Sequence, residues 1–225
     1  TIAPSSQPTA AAASSAVRWH GLLSHMARAD TPDDPYNQAQ VAALREAADR
    51  LPVDTPLSLA NSAALLSLPQ ARFDWVRPGL MLYGASPFPD QDADTVGLSP
   101  VLRLESEVIA VRELEEGDWL GYGTAYQSVR RERVGVVPVG YGDGYPRHLG
   151  TGAPVRVNGT VTRTLGNVCM DMLFVDLTPI PEAGEGAAVE LVGPGVPAER
   201  LAREAGTIPY EILCGLRSRL RRVHE

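Results

Sequence analysis

The pattern of hydrophobic and polar positions changes its period partway along the chain. In the first region short apolar runs alternate with stretches of helical periodicity, which predicts strands at residues 19–27, 57–60 and 74–77. Strands that alternate with helices in this way indicate a parallel α/β arrangement. Functional side chains are then expected to follow the carboxyl ends of the strands.

Two helices are predicted between these strands. The first should begin at Asp34-Pro35, because a carboxylate is a good N-cap and proline suits the first helical position. Its apolar residues share one face and are Val41, Leu44, Ala48 and Leu51. The second helix should follow directly after Asn61-Ser62.

Beyond a polar, Pro/Asp-rich segment at residues 87–97 the apolar period becomes two, which is typical of half-buried strands. Asn158-Gly159 predicts a type I′ hairpin turn, because both residues tolerate positive φ. A short helix at residues 198–204 should end at Gly206 as its C-cap. The predicted strands lie at residues 134–139, 155–161 and 172–177.

The sequence thus predicts three parts. Residues 1–16 are small and polar, with two prolines, and are expected to be a frayed segment without function of their own. Residues 17–96 form the α/β region. Residues 97–225 form a mainly β region, in which a last helix starts near Pro209.

Composition narrows the possible functions. The chain has 225 residues, of which 44% are hydrophobic and 21% charged, as in ordinary globular proteins. Its net charge of −7 argues against nucleic-acid binding, and no apolar run or leader suggests a membrane span or secretion. The two cysteines lack metal-site spacing, so we expect no metal and a cytoplasmic protein. All 20 basic residues are arginine, so no ε-amine is available.

Seven stretches carry a functional signal when they are taken together. They are GLLSHMARAD (21–30), ANSAALL (60–66), VRPGLMLYG (76–84), GYGTAY (121–126), VGYGDGYPR (139–147), NVCMDM (167–172) and IPYEILCGLRSR (208–219). Their order and gaps resemble those of the C-terminal part of the pyridoxal 5′-phosphate (PLP)-dependent alanine racemases. One such stretch alone is weak evidence, whereas seven in register are specific.

The resemblance implies a fold and a cofactor. The fold is the C-terminal portion of a (β/α)8 TIM-type barrel that binds PLP, followed by a mainly β domain. In the family's head-to-tail homodimer the β domain of one subunit completes the barrel mouth of the other. The family's N-terminal half, with the lysine that holds PLP and serves as one base, has no counterpart in these 225 residues. An arginine that binds the substrate carboxylate is missing with it.

Two residues are implied to act on the substrate. Tyr122, between Gly121 and Gly123, resembles the family's second base, and a phenol serves as a base only where its anion is stabilised. The alternative is a tyrosine that packs in a glycine loop. Met170 would donate its backbone N–H to the substrate carboxylate from the partner subunit, although methionine is more often a core residue.

Six residues are implied to hold PLP. Arg77 would face the pyridine nitrogen, and because arginine only donates hydrogen bonds, that nitrogen should stay unprotonated. His25 would orient this arginine or, equally, be a core histidine. Ser62 would bind the phosphate or serve as a helix N-cap. The other phosphate-binding residues implied by the resemblance are Gly79, Leu80 and Tyr210.

Three further residues resemble the polar entrance that admits only small amino acids: Tyr141, Arg147 and Asp171. Asn167 departs from the family, because many members carry arginine there, so access to the site should differ.

The function implied is interconversion of L-alanine and D-alanine by two bases, which supplies D-alanine for peptidoglycan. The alternative is a catalytically incompetent relic or partner module that donates Tyr122 and Met170 in trans to a full-length racemase. A weaker option is a decoy that binds PLP without a covalent bond.

Overall fold

The computed structural model describes residues 20–224, and the chain divides there into two compact units. Unit 1 ends at Leu82, and unit 2 begins at Tyr83. The segment predicted to be frayed, residues 1–16, lies outside the described residues.

Unit 1 has the alternating order that the sequence predicts. Its elements are β1 (Leu22–Leu23), α1 (Tyr36–Ala48), β2 (Leu57–Ser58) and α2 (Ser62–Ser67). The two strands pair in parallel, with Leu22 opposite Leu57. Parallel strands joined through a helix are the repeating element of an α/β fold.

The strands of unit 1 are shorter than predicted. The prediction of strands over residues 19–27 and 57–60 was too long, because in the described part of the chain the ladder between β1 and β2 covers two residues of each strand. Residues 74–77 form a single parallel bridge, between Trp75 and Ser58. Pro78 follows at once, and proline has no N–H to continue the ladder.

Helix α1 begins one residue later than predicted. Pro35 is the residue before the helix rather than its first residue, yet Asp34 Oδ1 still accepts the N–H of Tyr36 at 2.9 Å. Of the predicted apolar face, Val41 and Leu44 are buried. The sequence therefore placed the helix and half of its apolar face correctly. The predicted start is one residue too early, Ala48 is only partly buried, and Leu51 lies beyond the end of the helix.

Unit 2 is a mainly antiparallel β domain. Its strands are β3 (Leu104–Glu107), β4 (Ala110–Leu114), β5 (Trp119–Leu120), β6 (Tyr126–Gln127), β7 (Glu132–Val137), β8 (Pro154–Val157), β9 (Thr160–Leu165), β10 (Leu173–Asp176) and β11 (Ala188–Val192). Seven of them form one sheet in the order β3-β11-β8-β9-β10-β7-β4, and β5 pairs with β6 separately. The predicted strands 134–139 and 172–177 correspond to β7 and β10.

The predicted hairpin turn is confirmed. Strands β8 and β9 pair antiparallel, with Val157 opposite Thr160, and the predicted strand 155–161 is in fact these two strands. Asn158 and Gly159 between them have φ of 46° and 83°, as a type I′ turn requires. One continuous apolar core fills unit 2, with fully buried side chains that include Val155 and Leu191.

Two helices complete unit 2, namely α3 (Ala198–Ala205) and α4 (Pro209–Gly215). Gly206 caps α3 in the left-handed region at φ 67°, as predicted. None of the helices within residues 20–224 is long and apolar enough to cross a membrane.

The polar segment at 87–97 belongs to unit 2. The Ser86 N–H donates to the buried Glu199 carboxylate at 2.8 Å, and Arg203 forms an ion pair with Asp92 at 2.6 Å. The structural division at Leu82 therefore precedes the change of pattern that the sequence shows at residues 96–97.

Candidate functional site

In unit 1 the guanidinium of Arg77 is held in place from two sides. Its Nη1 donates to Ser58 Oγ at 2.5 Å, and its Nη2 donates to the Ser24 carbonyl at 2.6 Å. The Arg77 backbone N–H also donates to the Ala60 carbonyl at 2.9 Å. A guanidinium has five N–H donors, so several remain for a ligand that offers an acceptor.

His25 is exposed, and its side chain makes no hydrogen bond within residues 20–224. Its carbonyl accepts from Gln40 Nε2 at 3.1 Å. Its exposure argues against a core histidine. Ser24 and Ser58 make the contacts with Arg77 that the resemblance implied for His25.

Ser62 lies at the first position of α2 and is fully buried. It is not the N-cap, because Asn61 fills that role by accepting the Ala64 N–H at 3.0 Å. Ser62 Oγ instead accepts the N–H of Met81 at 3.2 Å, and its own proton has no acceptor among the described residues. A buried hydroxyl without an acceptor is available to donate to a bound anion.

Gly79 and Leu80 lie just before Met81 in the same turn. No atom lies within 4 Å of the position that a Cβ on Gly79 would take, so this flank is open. The Gly79 N–H has no partner among the described residues. The side chain of Leu80 is buried. The hydroxyl of Ser62 and the open flank of Gly79 fit an anionic group such as a phosphate, and the fixed Arg77 offers donors to a further acceptor.

In unit 2 the side chain of Tyr122 projects into solvent, with 78% of the residue exposed. It is not a tyrosine packed in a loop. Gly121 and Gly123 on either side have φ of 77° and 71°, a conformation that favours glycine. The side-chain amide of Asn167 donates to the Tyr122 carbonyl at 3.2 Å and so fixes the backbone of this turn.

The segment that carries Tyr122 is anchored at its far end by a buried carboxylate. Glu132 Oε2 accepts the Tyr126 hydroxyl at 2.6 Å and the Ser128 hydroxyl at 3.0 Å. Burial, and then the hydrogen bond to Glu132, raise the pKa of Tyr126 to about 12. Arg163 lies 3.8 Å from the other oxygen of Glu132 and partly balances its charge.

Two short segments, residues 140–143 and 169–171, lie side by side and are called here the loop pair. The N–H of Tyr141 donates to the Cys169 carbonyl at 3.0 Å, and the N–H of Gly142 donates to the Met170 carbonyl at 2.8 Å. The N–H of Met170 has no partner among the described residues, and 54% of Met170 is exposed. This N–H is therefore available to a ligand.

Arg219 ties the loop pair together. Its Nε and Nη2 donate to the two oxygens of Asp143 at 2.6 and 3.0 Å, and its Nη2 also donates to Asp171 Oδ1 at 2.6 Å. The hydrogen bond from Arg219 holds the pKa of Asp143 below its usual range. Arg219 is charge-paired twice, so its own pKa is raised.

Arg147 is exposed and lies near the same loops. Burial raises the pKa of the Cys169 thiol, and the positive charge of Arg147 opposes that rise. The structure thus brings Tyr141, Met170, Asp171 and Arg147 together within unit 2. Tyr210, the second residue of α4, is partly exposed in the same unit. Within the described residues no cluster of three or more metal-binding side chains occurs.

Sequence reasoning missed Asp143, Arg219, Ser24 and Ser58. Arg219 lies in the arginine-rich run LRSRLRR, where nothing singles out one member. Asp143 had a signal, since an acid between two glycines is typical of a tight turn whose carboxylate binds the backbone. Its Oδ2 does accept the Gly140 N–H at 2.8 Å.

Two family models match the chain. They are "Alanine racemase, C-terminal domain" over residues 101–224 and "Alanine racemase, N-terminal domain" over residues 6–87. One model thus matches most of unit 2, and the other reaches a few residues beyond unit 1.

Named relatives agree with these matches. The alanine racemase of Acidithiobacillus ferrooxidans is 56% identical over 210 residues, which are 91% of this chain and 57% of that protein. The alanine racemase of Pseudomonas fluorescens is 50% identical over 196 residues, 87% of this chain and 54% of the relative. The chain therefore spans a little over half the length of the curated relatives it matches.

Solved structures give the same result. The biosynthetic alanine racemase from Pseudomonas aeruginosa superimposes with a TM-score of 0.88 at 42% identity, covering 93% of this chain and 58% of that one. Alanine racemase from Bartonella henselae, solved with covalently bound pyridoxal phosphate, gives 0.82 at 32% identity, covering 91% and 56%. The predicted fold class, part of a TIM-type barrel followed by a mainly β domain, is confirmed. The chain belongs to the alanine racemase family.

Proposed function

We propose that the protein carrying this chain is a PLP-dependent racemase that interconverts L-alanine and D-alanine. Family membership over both units supports the reaction class. The observation that carries the proposal is the buried Ser62 hydroxyl, which has no acceptor among the described residues. It accepts the N–H of Met81, which lies in the same turn as the open flank of Gly79.

Unit 1 supplies most of the cofactor-binding residues. Ser62 and the N–H groups of Gly79 and Leu80 bind the phosphate. The resemblance implies a role in phosphate binding for Tyr210 as well. Arg77, held by Ser24 and Ser58, donates to the ring nitrogen and keeps it unprotonated. When bound, PLP supplies an electron sink for the negative charge that develops at Cα of the amino acid.

Unit 2 supplies the groups that act on the substrate. The phenol oxygen of Tyr122 takes and returns the Cα proton on one face, and its high exposure leaves that oxygen accessible. The N–H of Met170, which has no partner among the described residues, binds the substrate carboxylate. A lysine elsewhere in the complete protein serves the opposite face, since these 225 residues contain none.

The entrance residues restrict the substrate to small amino acids. Tyr141, Arg147 and Asp171 line this route, and Asn167 widens it relative to members that carry arginine there. The complete protein works as a cytoplasmic homodimer in which Tyr122 and Met170 serve the partner's cofactor. Its product D-alanine supplies peptidoglycan synthesis.

The proposal is tested with the complete encoded protein and added PLP. Wild type should racemise L-alanine, measured by chiral chromatography. Ser62→Ala should weaken PLP binding about tenfold, because a hydrogen bond to a charged group is lost. Ser67→Ala is the matched control, since its hydroxyl donates only to the Ala63 carbonyl of the same helix, at 2.8 Å. A wild-type protein that binds PLP without racemising alanine would overturn the proposal.

The exposure of Tyr122 and of Met170 favours one second candidate, a partner module that donates these two residues in trans. This is tested by mixing the 225-residue chain with a racemase relative whose own proton-transferring tyrosine is replaced by phenylalanine. Donation in trans is supported if the wild-type chain restores racemase activity to the mixture and a Tyr122→Phe chain does not. Equal, negligible activity with both chains contradicts it.

A further inference from the structure

Arg219 makes more contacts with the loop pair than any side chain proposed to touch the substrate. One guanidinium binds both oxygens of Asp143 and one oxygen of Asp171. Asp143 is in the first segment of the loop pair and Asp171 is in the second. Arg219 therefore joins the two segments by charge-assisted hydrogen bonds, which are stronger than neutral ones.

The backbones of the two segments are in such close contact that neither can shift towards the other. A Cβ on Gly140 would lie 2.3 Å from the Cys169 carbonyl oxygen, so the chains touch through glycine. The Gly142 N–H donates to the Met170 carbonyl, and Asp143 Oδ2 accepts the Gly140 N–H. The Tyr141 N–H also donates to the Cys169 carbonyl, so the peptides before and after Met170 are both held by hydrogen bonds from the first segment. On the other side Arg219 holds the neighbouring Asp171.

Without Arg219 the same geometry becomes unfavourable. Asp143 and Asp171 both lie within 3 Å of one guanidinium, so removing it leaves two carboxylates close together without a counter-charge. Their repulsion would separate the segments and turn the Met170 N–H away from its direction. A lysine would supply the charge but not the planar fork that reaches both acids.

We propose that Arg219 is a positioning residue for the substrate carboxylate, which acts by holding the loop pair so that the Met170 N–H keeps its direction. This inference rests on the proposed role of Met170 and does not require Arg219 to touch the substrate. It gives the charged group in the turn that follows α4 a part in binding alanine.

The test compares Arg219→Met, Arg219→Lys and Arg221→Met in the complete encoded protein loaded with PLP. Arg221 is the matched control, because it is exposed and forms no ion pair within residues 20–224. The carboxylate of alanine is bound equally before and during proton transfer. Weaker binding of this carboxylate should therefore raise KM and leave kcat unchanged. We expect a KM about tenfold higher in Arg219→Met, a smaller rise in Arg219→Lys and none in Arg221→Met.

A second readout does not depend on activity. Amide hydrogen exchange across residues 140–146 should accelerate about tenfold in Arg219→Met, because the Gly142 N–H loses its fixed acceptor. Exchange there should be unchanged in Arg221→Met. An inactive wild type would overturn the proposed function, and exchange alone would then decide whether Arg219 holds the loop pair.

Two results would overturn the inference. The first is a KM within twofold of wild type in Arg219→Met, together with unchanged exchange across residues 140–146. The second is a fall in kcat at unchanged KM, which would assign Arg219 to the chemical step instead of carboxylate binding.

Discussion

The two compact units differ in how they hold their functional residues. Unit 2 has a seven-stranded sheet over a continuous core, and its loop pair is fixed by backbone hydrogen bonds and ion pairs. In unit 1 the described strands are two residues long. The side chain of Arg77 makes two hydrogen bonds there and that of Ser62 makes one. The residues proposed to transfer the proton and to bind the carboxylate thus belong to the more extensively bonded region.

The difference matches the chemistry proposed for each unit. An N–H that binds a carboxylate must keep its direction, and a rigid scaffold supplies that direction without help from the ligand. Residues that bind a cofactor can instead gain order from it, because a ligand stabilises the conformation to which it binds. We therefore expect unit 2 to resist unfolding on its own contacts and unit 1 to gain more from PLP.

The largest expected effect is a loss of stability at Gly144, the residue that follows the first segment of the loop pair. Gly144 has φ of 98°, and a Cβ there would lie 1.9 Å from the Gly215 carbonyl oxygen. Gly144→Ala should lower the free energy of unfolding of unit 2 by more than about 4 kcal/mol, measured in urea with hydrogen exchange to resolve the units. Gly152→Ala is the control, because its φ is 103° but its surroundings are open, and it should cost only about 1–2 kcal/mol. Equal costs would contradict the close approach at Gly144.

A matched pair of core leucines sharpens the contrast between the units. Leu191 in unit 2 and Leu59 in unit 1 are both fully buried. Leu191→Ala should cost about 3–4 kcal/mol because the surrounding sheet cannot collapse into the cavity, and Leu59→Ala about 2 kcal/mol because its neighbours can. Hydrogen exchange reports each cost in its own unit. A larger cost at Leu59 would reverse the comparison.

The smallest expected effect is a pH dependence that arises in unit 2. The folded-state pKa of Tyr126 is raised to about 12 from an ordinary value of 10, and burial also raises that of Tyr145. A raised pKa means that the neutral phenol contributes stability below pH 10, and that this contribution is lost as pH rises towards 12. Each phenol adds at most about 1.4 kcal/mol per pH unit to the slope of the free energy of unfolding against pH.

Tyr126→Phe isolates its share of that slope. Between pH 10 and about 12 the free energy of unfolding should fall less steeply in Tyr126→Phe than in wild type, because only Tyr145 still titrates late. Urea unfolding at several pH values measures both slopes. Identical slopes would show that the Tyr126–Glu132 hydrogen bond does not anchor the segment that carries Tyr122.

Local features were predictable from the sequence. The Asn158-Gly159 turn and the Gly206 cap follow from backbone preferences of single residues, and both occur as predicted. The burial of Val41 and Leu44 follows from helical periodicity alone. The family also followed from motifs, because seven short stretches kept their order and gaps.

Features that depend on distant pairing were not predictable. The strands of unit 1 were drawn too long because an apolar run does not reveal how many partners it has. Arg219 binds an acid 76 residues away, and neither residue carries a local sign of the other. The roles of Tyr122, Met170 and the cofactor-binding residues came from resemblance, and they stay predictions.

The most direct test of the account is hydrogen exchange at Cα of alanine in D2O, for each enantiomer separately. The complete encoded protein with bound PLP is compared with its Tyr122→Phe variant, and Tyr83→Phe is the control because Tyr83 has no proposed role. If Tyr122 moves the proton on one face only, Tyr122→Phe should slow exchange about 100-fold or more for one enantiomer. The other enantiomer should exchange at close to the wild-type rate, and cofactor absorbance should be unchanged. If Tyr122→Phe exchanged the Cα hydrogen of both enantiomers at the wild-type rate, the account would be contradicted.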